Sequence, residues 1–227
     1  MVAARRRVLE SGLYDPVLTA VAERIDPESA VVVDAGSGTG HYLASCLDAA
    51  PDALGIGIDL SKYCARATAR SHRRALAVVA DLWEGIGVRT GAADALLSVF
   101  APRNLGEAAR ILRPGGRWIL VTPRPDHLAQ LREPLGMLGI GDDKLARLHD
   151  DLTSAGFTVT SADPVTADLT LSAPTAADIA GMGPAGFHRT PDELAAAARS
   201  LDPSDRGIPA TLDVTVTTAV TPAATGA

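Results

Sequence analysis

Residues 31–42 read Val-Val-Val-Asp-Ala-Gly-Ser-Gly-Thr-Gly-His-Tyr. A β-branched run ends in Asp34, and Gly36, Gly38 and Gly40 follow at alternate positions before a helical pattern begins. Glycines at that spacing let the backbone turn sharply and approach a ligand closely. The helix beyond presents its N-terminus, with its unpaired N–H groups, to the loop. A nicotinamide-dinucleotide site would carry G-x-G-x-x-G, whose third glycine packs helix against strand; counted from Gly36 and Gly38, that position is His41. The run is G-x-G-x-G instead, and Asp34 at its mouth would repel a pyrophosphate. A cationic aminoacyl sulfonium accepts a carboxylate there, so the loop fits S-adenosylmethionine better than NAD. Asp59 ends the next strand, about 20 residues on, where an acidic side chain takes two ribose hydroxyls. Asp81 ends the third strand with Leu82 and Trp83 after it, a corner expected beside the adenine. Ser37, His41, Tyr42, Leu60 and Phe100 complete the cofactor set predicted from this part of the chain.

Substrate contacts are expected from Arg103, just after the fourth strand, and from Arg124 and His127 after the fifth. Arg5, with Arg6 and Arg7 on a leading helix, could meet phosphates or a carboxylate, or form a solvated face. Phe100 could stack on a planar base. No acid or base is assigned to catalysis. The five histidines are scattered, and Cys46 and Cys64 fall within predicted helices as apolar fillers, so no metal site is expected. Nor is there a G-x-S-x-G elbow for a nucleophilic serine.

These residues need a scaffold of alternating elements, and the rest of the chain supplies one. Helices are predicted over 3–14 and 16–25, with Asp15 as N-cap, then strands over 30–34, 53–59, 76–80, 95–100 and 117–122. Helices over 41–49 and 104–112 intervene, with another after Ser61, and Pro114, Gly115 and Gly116 stop the second of these and lead into the fifth strand. Further on, residues 143–154, 174–182 and 191–200 read as helices and 157–161 and 168–172 as strands. Residues 211–218 alternate strictly and should pair antiparallel near the sheet edge. The fold class is therefore α/β: a Rossmann-like, mainly parallel sheet of about seven strands with helices on both faces. One domain is expected over 1–220, residues 1–29 leading into it, with 221–227 a flexible tail.

At 227 residues, 47% hydrophobic and 21% charged, the chain can bury a core without staples. Two cysteines exclude a disulfide scaffold and a four-cysteine zinc site within it. No apolar run nears the roughly 18 residues of a membrane span, and no apolar stretch follows the basic start as in a signal peptide. A soluble cytoplasmic protein is expected. The net charge of −6 counts against nucleic-acid binding by charge alone, though not against a local basic patch.

The glycine loop, the strand ending in Asp59 and the run Leu112-Arg113-Pro114-Gly115-Gly116 resemble the class I methyltransferases. Residues 4–16, 57–62, 100–102 and 121–128, the last reading Val-Thr-Pro-Arg-Pro-Asp-His-Leu, are similar to the bacterial 23S rRNA (guanine-N(1)) methyltransferases, which include enzymes of macrolide resistance. The similarity continues through Met182, Gly183 and Pro184 to the final strand and covers nearly the whole chain. It implies methylation of a guanine of 23S rRNA, a tie to antibiotic resistance, and Tyr14 closing over the cofactor. Members carry an N-terminal zinc ribbon, whereas Met1 here resembles an internal point of the family sequence; this is either a version without the ribbon or a start set downstream. A small-molecule acceptor, such as a secondary metabolite, and a cofactor-binding protein without turnover stay open as alternatives, and a homodimer is a further expectation.

Overall fold

The computed structural model describes residues 1–141 and 144–223. Its elements are, in order, helices α1 (Val2–Glu10) and α2 (Asp15–Ala22), strand β1 (Val31–Ala35), α3 (His41–Ala49), β2 (Leu54–Asp59), α4 (Lys62–Thr68), β3 (Ala75–Val79), β4 (Ala93–Val99) and α5 (Leu105–Ile111). Then come β5 (Leu112–Pro123), α6 (Ala129–Leu135), α7 (Lys144–Ser154), β6 (Thr158–Leu171), α8 (Ala173–Gly181), a 3-10 turn (Pro184–Phe187), α9 (Pro191–Leu201) and β7 (Ile208–Val220). The sheet order is β3-β2-β1-β4-β5-β7-β6, and the pairs β3–β2, β2–β1, β1–β4 and β4–β5 are parallel. The last strands run the other way. Thr221 N–H donates to Gly116 O and Arg124 N–H to Asp213 O, so residue numbers fall along β7 as they rise along β5.

The chain divides into two compact units. One comprises Val17–Thr122, Asp143–Asp163 and Thr215–Ala227. Its central strands are buried on both faces, which is why they read as continuous apolar runs. Val33, Ala35, Ile58, Leu96, Trp118 and Leu120 face a core shared with Ala108 and Ile111 of α5 and Leu148 and Leu152 of α7. On the opposite face β2 carries Gly55 and Gly57. A Cβ at Gly55 would sit 2.8 Å from Leu47 of α3, and one at Gly57 2.3 Å from Thr68 of α4. Helices therefore cover both faces of this unit. Trp118, the largest buried side chain, keeps its indole N–H satisfied by Ser98 Oγ at 3.1 Å.

The other unit comprises Met1–Pro16, Pro123–Asp142 and Pro164–Val214. Arg7 pairs with Asp178 of α8 at 2.6 Å, and Thr190 and Glu193 form a reciprocal capping box at the start of α9.

Four sequence expectations shift. The helix predicted over 3–14 ends at Glu10, because Gly12 takes φ +82° and turns the chain. Asp15 lies inside α2 rather than capping it. The two strands expected at 157–161 and 168–172 are one strand, β6, whose outer place in the sheet order leaves Pro164 without a ladder partner to offend. β7 does lie near the sheet edge as expected, one strand in. Thr221 and Pro222, placed in the flexible tail, are tied to the start of β5 by the bonds of Thr221 to Arg113 O and of Gly115 N–H to Pro222 O; residues 224–227 of that tail, and residue 143 of the predicted helix, lie outside the described residues. The short helix α6 has no counterpart in the sequence reading.

Candidate functional site

The loop after β1 is built from backbone geometry. Gly36, Gly38 and Gly40 all adopt left-handed conformations, φ +84°, +56° and +78°, which a side chain would disfavour. Gly36 and Ser37 N–H groups both donate to Ile58 O, at 2.8 and 3.0 Å, and bind the loop to the end of β2. Thr68 holds its far side: its hydroxyl donates to Gly38 O at 3.2 Å and lies 3.1 Å from Ser37 Oγ. A Cβ at Gly40 would stand 2.8 Å from Thr68 Cα, and one at Gly36 2.5 Å from Ala101 Cβ. The loop is thus pressed between α4 and the segment that leaves β4.

Asp59 closes the loop from β2. One carboxylate oxygen accepts Gly38 N–H at 2.9 Å and the other Ser61 N–H at 2.8 Å. Each oxygen retains acceptor capacity for a ligand hydroxyl. Asp34, paired in register with Gly57, is 1% exposed, and its Oδ1 has no hydrogen-bond partner among the described residues. Burial, and secondarily the neighbouring charge of Asp59, push its carboxyl up to about 7. A buried carboxylate with an orphaned oxygen requires a proton or a cation, and the ammonium of an amino-acid ligand answers that need. The donor set fits S-adenosylmethionine.

The third corner is held by side chains. Asp81 accepts Trp83 N–H at 2.9 Å, while Leu82 is buried and offers its carbonyl to Asn104 Nδ2 at 2.9 Å. Asn104 also caps α5 through Glu107 N–H at 3.1 Å. The segment 100–104 is therefore fixed to the glycine loop at one end and to the Asp81–Trp83 corner at the other. It begins with Phe100 at φ +53°, a strained backbone for a non-glycine residue. Arg103 is half-buried, its Nη1 donating to Thr122 Oγ1 at 3.4 Å; burial lowers its pKa, and Asp151 of α7 opposes that. His41 and Tyr42 open α3 with their rings edge to face, centroids 6.3 Å apart.

The remaining predicted residues belong to the other unit. Tyr14 and His127 are both buried, with ring centroids 6.4 Å apart; burial raises the Tyr14 hydroxyl pKa. His127 Nδ1 accepts Asp213 N–H at 3.2 Å, and burial, helped by Arg132, pushes its pKa down to about 4. Arg124 lies 3.4 Å from Asp213 Oδ1, and Arg5 donates to Met182 O at 3.2 Å. His127 is thus a buried, neutral acceptor for the backbone of β7, where the sequence pointed to a substrate contact. The sequence reading passed over Thr68, Asn104 and Lys144; the first two reveal themselves only through their backbone partners. Among the described residues no cluster of three His, Cys, Asp or Glu side chains is placed to hold a metal ion, and no helix is long and apolar enough to cross a membrane.

A family model described as a methyltransferase domain matches residues 33–120, which hold the glycine loop, Asp59, the Asp81 corner and the Phe100 segment. The chain is 44% identical over 200 residues to the 23S rRNA (guanine(748)-N(1))-methyltransferase of Streptomyces fradiae, covering 86% of this chain and 71% of that one. A protein of Micromonospora griseorubida, also named for 23S rRNA (guanine-N(1)) methylation, is 38% identical, covering 88% of this chain and 74% of its own. Among solved structures, geranyl diphosphate methyltransferase in complex with GPP and sinefungin superposes with a TM-score of 0.60 at 15% identity, covering 92% of this chain and 79% of that one. At that identity the likeness is one of fold alone.

Proposed function

We infer the acceptor from kinship: the chain belongs to the family of 23S rRNA (guanine-N(1))-methyltransferases, enzymes dependent on S-adenosylmethionine, and its acceptor is accordingly ring N(1) of a guanine in 23S rRNA. The observation that carries this is the 44% identity spread over 71% of the Streptomyces fradiae enzyme. The fold does not choose an acceptor, since a geranyl diphosphate methyltransferase shares it.

In this reading the glycine loop from Gly36 to Gly40, with Ser37, His41 and Tyr42 beside it, takes the amino-acid end of the cofactor. Asp34 answers its ammonium, Asp59 takes the ribose, and Leu60, Asp81 and Leu82 flank the adenine. Bound there, S-adenosylmethionine supplies an electrophilic methyl group on a sulfonium. The protein's task is then to hold an acceptor in line and exclude water. N(1) of guanine carries a proton at neutral pH, which leaves as the new N–C bond forms. Phe100 and Arg103, which follow β4, are assigned to the acceptor's entry; Arg5 and Arg124 are assigned to the acceptor from their place in the sequence, and Tyr14 to the cofactor from the family resemblance. An rRNA acceptor also supports a cytoplasmic location for the protein.

The test is methyl transfer from radiolabelled S-adenosylmethionine to 23S rRNA, free and in ribosomal particles, beside a metabolite panel. The expected result is 1-methylguanosine, read by nucleoside analysis and by a reverse-transcriptase stop at one guanine, because N(1) methylation blocks base pairing. Label confined to a metabolite, or to neither acceptor, would overturn the reading.

A further inference from the structure

Between Asp59 and Asp81 the chain has no acidic residue and five lysines and arginines, in a protein whose net charge is −6. Four of the five, Lys62, Arg66, Arg70 and Arg73, are exposed. Among the described residues none of the four pairs with a carboxylate; Asp48, which approaches this segment, lies 3.4 Å from His72. Other arginines of the same unit do find acids. Arg24 pairs with Asp163, Arg110 with Glu107, Arg113 with Asp94 and Arg117 with Asp26. The four cations are therefore an uncompensated cluster in a molecule with acid to spare.

The helix sets them in a row. α4 runs Lys62–Thr68, and the N–H groups of Ala69, Arg70 and Ser71 extend it by donating to the carbonyls of Ala65, Ala67 and Thr68. Intervals of four residues stack Lys62, Arg66 and Arg70 on one face, about 6 Å apart along the axis, and Arg73 follows them. The other face is buried through Cys64, Ala65, Ala67 and Thr68, and Thr68 bonds from there to Gly38 O of the glycine loop. Arg74 pins the end of the row, its Nη1 donating to Ala50 O at 2.7 Å and to Ala53 O at 2.6 Å. Like charges at i, i+4 destabilise a helix, and a lysine at its first position opposes the macrodipole. The row thus works against α4 in the free protein, and a bound polyanion relieves it.

We propose that the outer face of α4, with Lys62, Arg66, Arg70 and Arg73, is a track for the phosphate backbone of the RNA acceptor. The inference rests on the rRNA reading above and deepens it by assigning the substrate a surface. Evenly spaced cations in line suit a linear polyanion and hold it without regard to base sequence. A helix that lies on a membrane needs an apolar face free to insert, and the apolar face of α4 is already buried against its own unit.

The test uses the full chain, S-adenosylmethionine and 23S rRNA. Lys62→Gln, Arg66→Gln, Arg70→Gln and Arg73→Gln combined should raise KM for the rRNA roughly tenfold or more. The log–log salt dependence of rRNA binding should flatten by about 3, four phosphates at roughly 0.7–0.9 each. Calorimetric affinity for S-adenosylmethionine should not change, which shows that α4 still seats the loop. Arg66→Lys, Arg70→Lys and Arg73→Lys combined keep the charges and should retain the wild-type salt slope. Arg199→Gln with Arg206→Gln, exposed cations of the other unit, should leave the slope unaltered. Wild-type KM and slope in the fourfold variant, a slope lost in the charge-retaining variant, or an equal flattening per charge from Arg199 and Arg206 would each overturn the proposal. So would rRNA binding kept while binding to phosphatidylglycerol vesicles is lost, which makes the row a membrane contact. If wild type transfers no methyl to 23S rRNA, the acceptor reading falls and takes the track with it; if wild type methylates and the fourfold variant matches it, the track alone falls.

Discussion

Asp34→Asn should make the ligand-free protein more stable at pH 8 and nearly abolish S-adenosylmethionine binding. The carboxyl titrates near 3.8 when unfolded and at about 7 in the native state, raised first by burial and then by Asp59. Between those values the native state holds a proton that the unfolded chain has released, so stability falls as pH rises from about 4 to 7. At 1.36 kcal/mol per pH unit the full loss is about 4 kcal/mol above pH 7. Asparagine removes the charge but leaves a buried amide that lacks partners, a cost of about 1–3 kcal/mol. The net gain at pH 8 is about 1–3 kcal/mol, or roughly 2–12 °C in Tm for a chain of this length. Below pH 4 the gain should vanish or reverse, because the wild-type carboxyl is then neutral in both states. The ligand reverses the sign of the substitution: its cation holds Asp34 ionised, so binding at pH 6 should release close to one proton and binding at pH 8.5 almost none. Calorimetry in two buffers of different ionisation enthalpy measures that release, and thermal melts from pH 4 to 8 measure the stability difference. A Tm difference independent of pH, or proton release unchanged in Asp34→Asn, would refute the assignment.

Three further outcomes follow from the same geometry. Asp59→Ala removes acceptors from Gly38 and Ser61 N–H groups as well as from the ligand, so calorimetric affinity for S-adenosylmethionine should fall by about 1–3 kcal/mol and Tm should fall with it. Gly57→Ala would drive a methyl to 2.3 Å from Thr68 Cγ2 and displace the residue that ties down the loop; a loss of about 1–3 kcal/mol in denaturant unfolding is expected, with weaker cofactor binding. His127 resists protonation down to about 4, so the unfolded chain binds the extra proton first and stability should be lost as pH falls from 6.5 to 4, by at most about 3 kcal/mol. His127→Gln should flatten that acid limb in pH-dependent melts.

The parallel half of the sheet was legible because its strands announce themselves in two ways: β1 and β4 as apolar runs buried on both faces, and β1, β2 and β3 as runs that end in Asp34, Asp59 or the Asp81 corner. The helices that follow carry caps readable in one dimension, as Ser61 accepting Cys64 N–H at 3.4 Å shows. The second half was harder. β6 reads as two strands because Asp163 and Pro164 interrupt its pattern, and only an outer position in the sheet makes that interruption harmless. α6 carries Pro134 within it and is seven residues long, too short for a periodic signal.

The same division runs through the site. Glycine spacing and strand-end carboxylates are local signals, and the structure brings Gly38 within hydrogen-bonding reach of Asp59 across 21 residues of sequence. What holds that arrangement is not local. Thr68 lies 30 residues from the carbonyl it binds, and an interior threonine in a helix gives no sign of serving a loop elsewhere. Charge shows the limit most clearly. A net −6 argues against nucleic acid only if charges are spread evenly. Lys144, at the start of α7, has its pKa lowered by burial and by the charge of Arg103, which lies in the loop after β4 and 41 positions away in the sequence. A sum over the chain averages such a pair away, and only the fold restores it. An acidic protein can therefore hold cations close together, and its overall charge bears on solubility and encounter rate rather than on the charge at any one place on its surface.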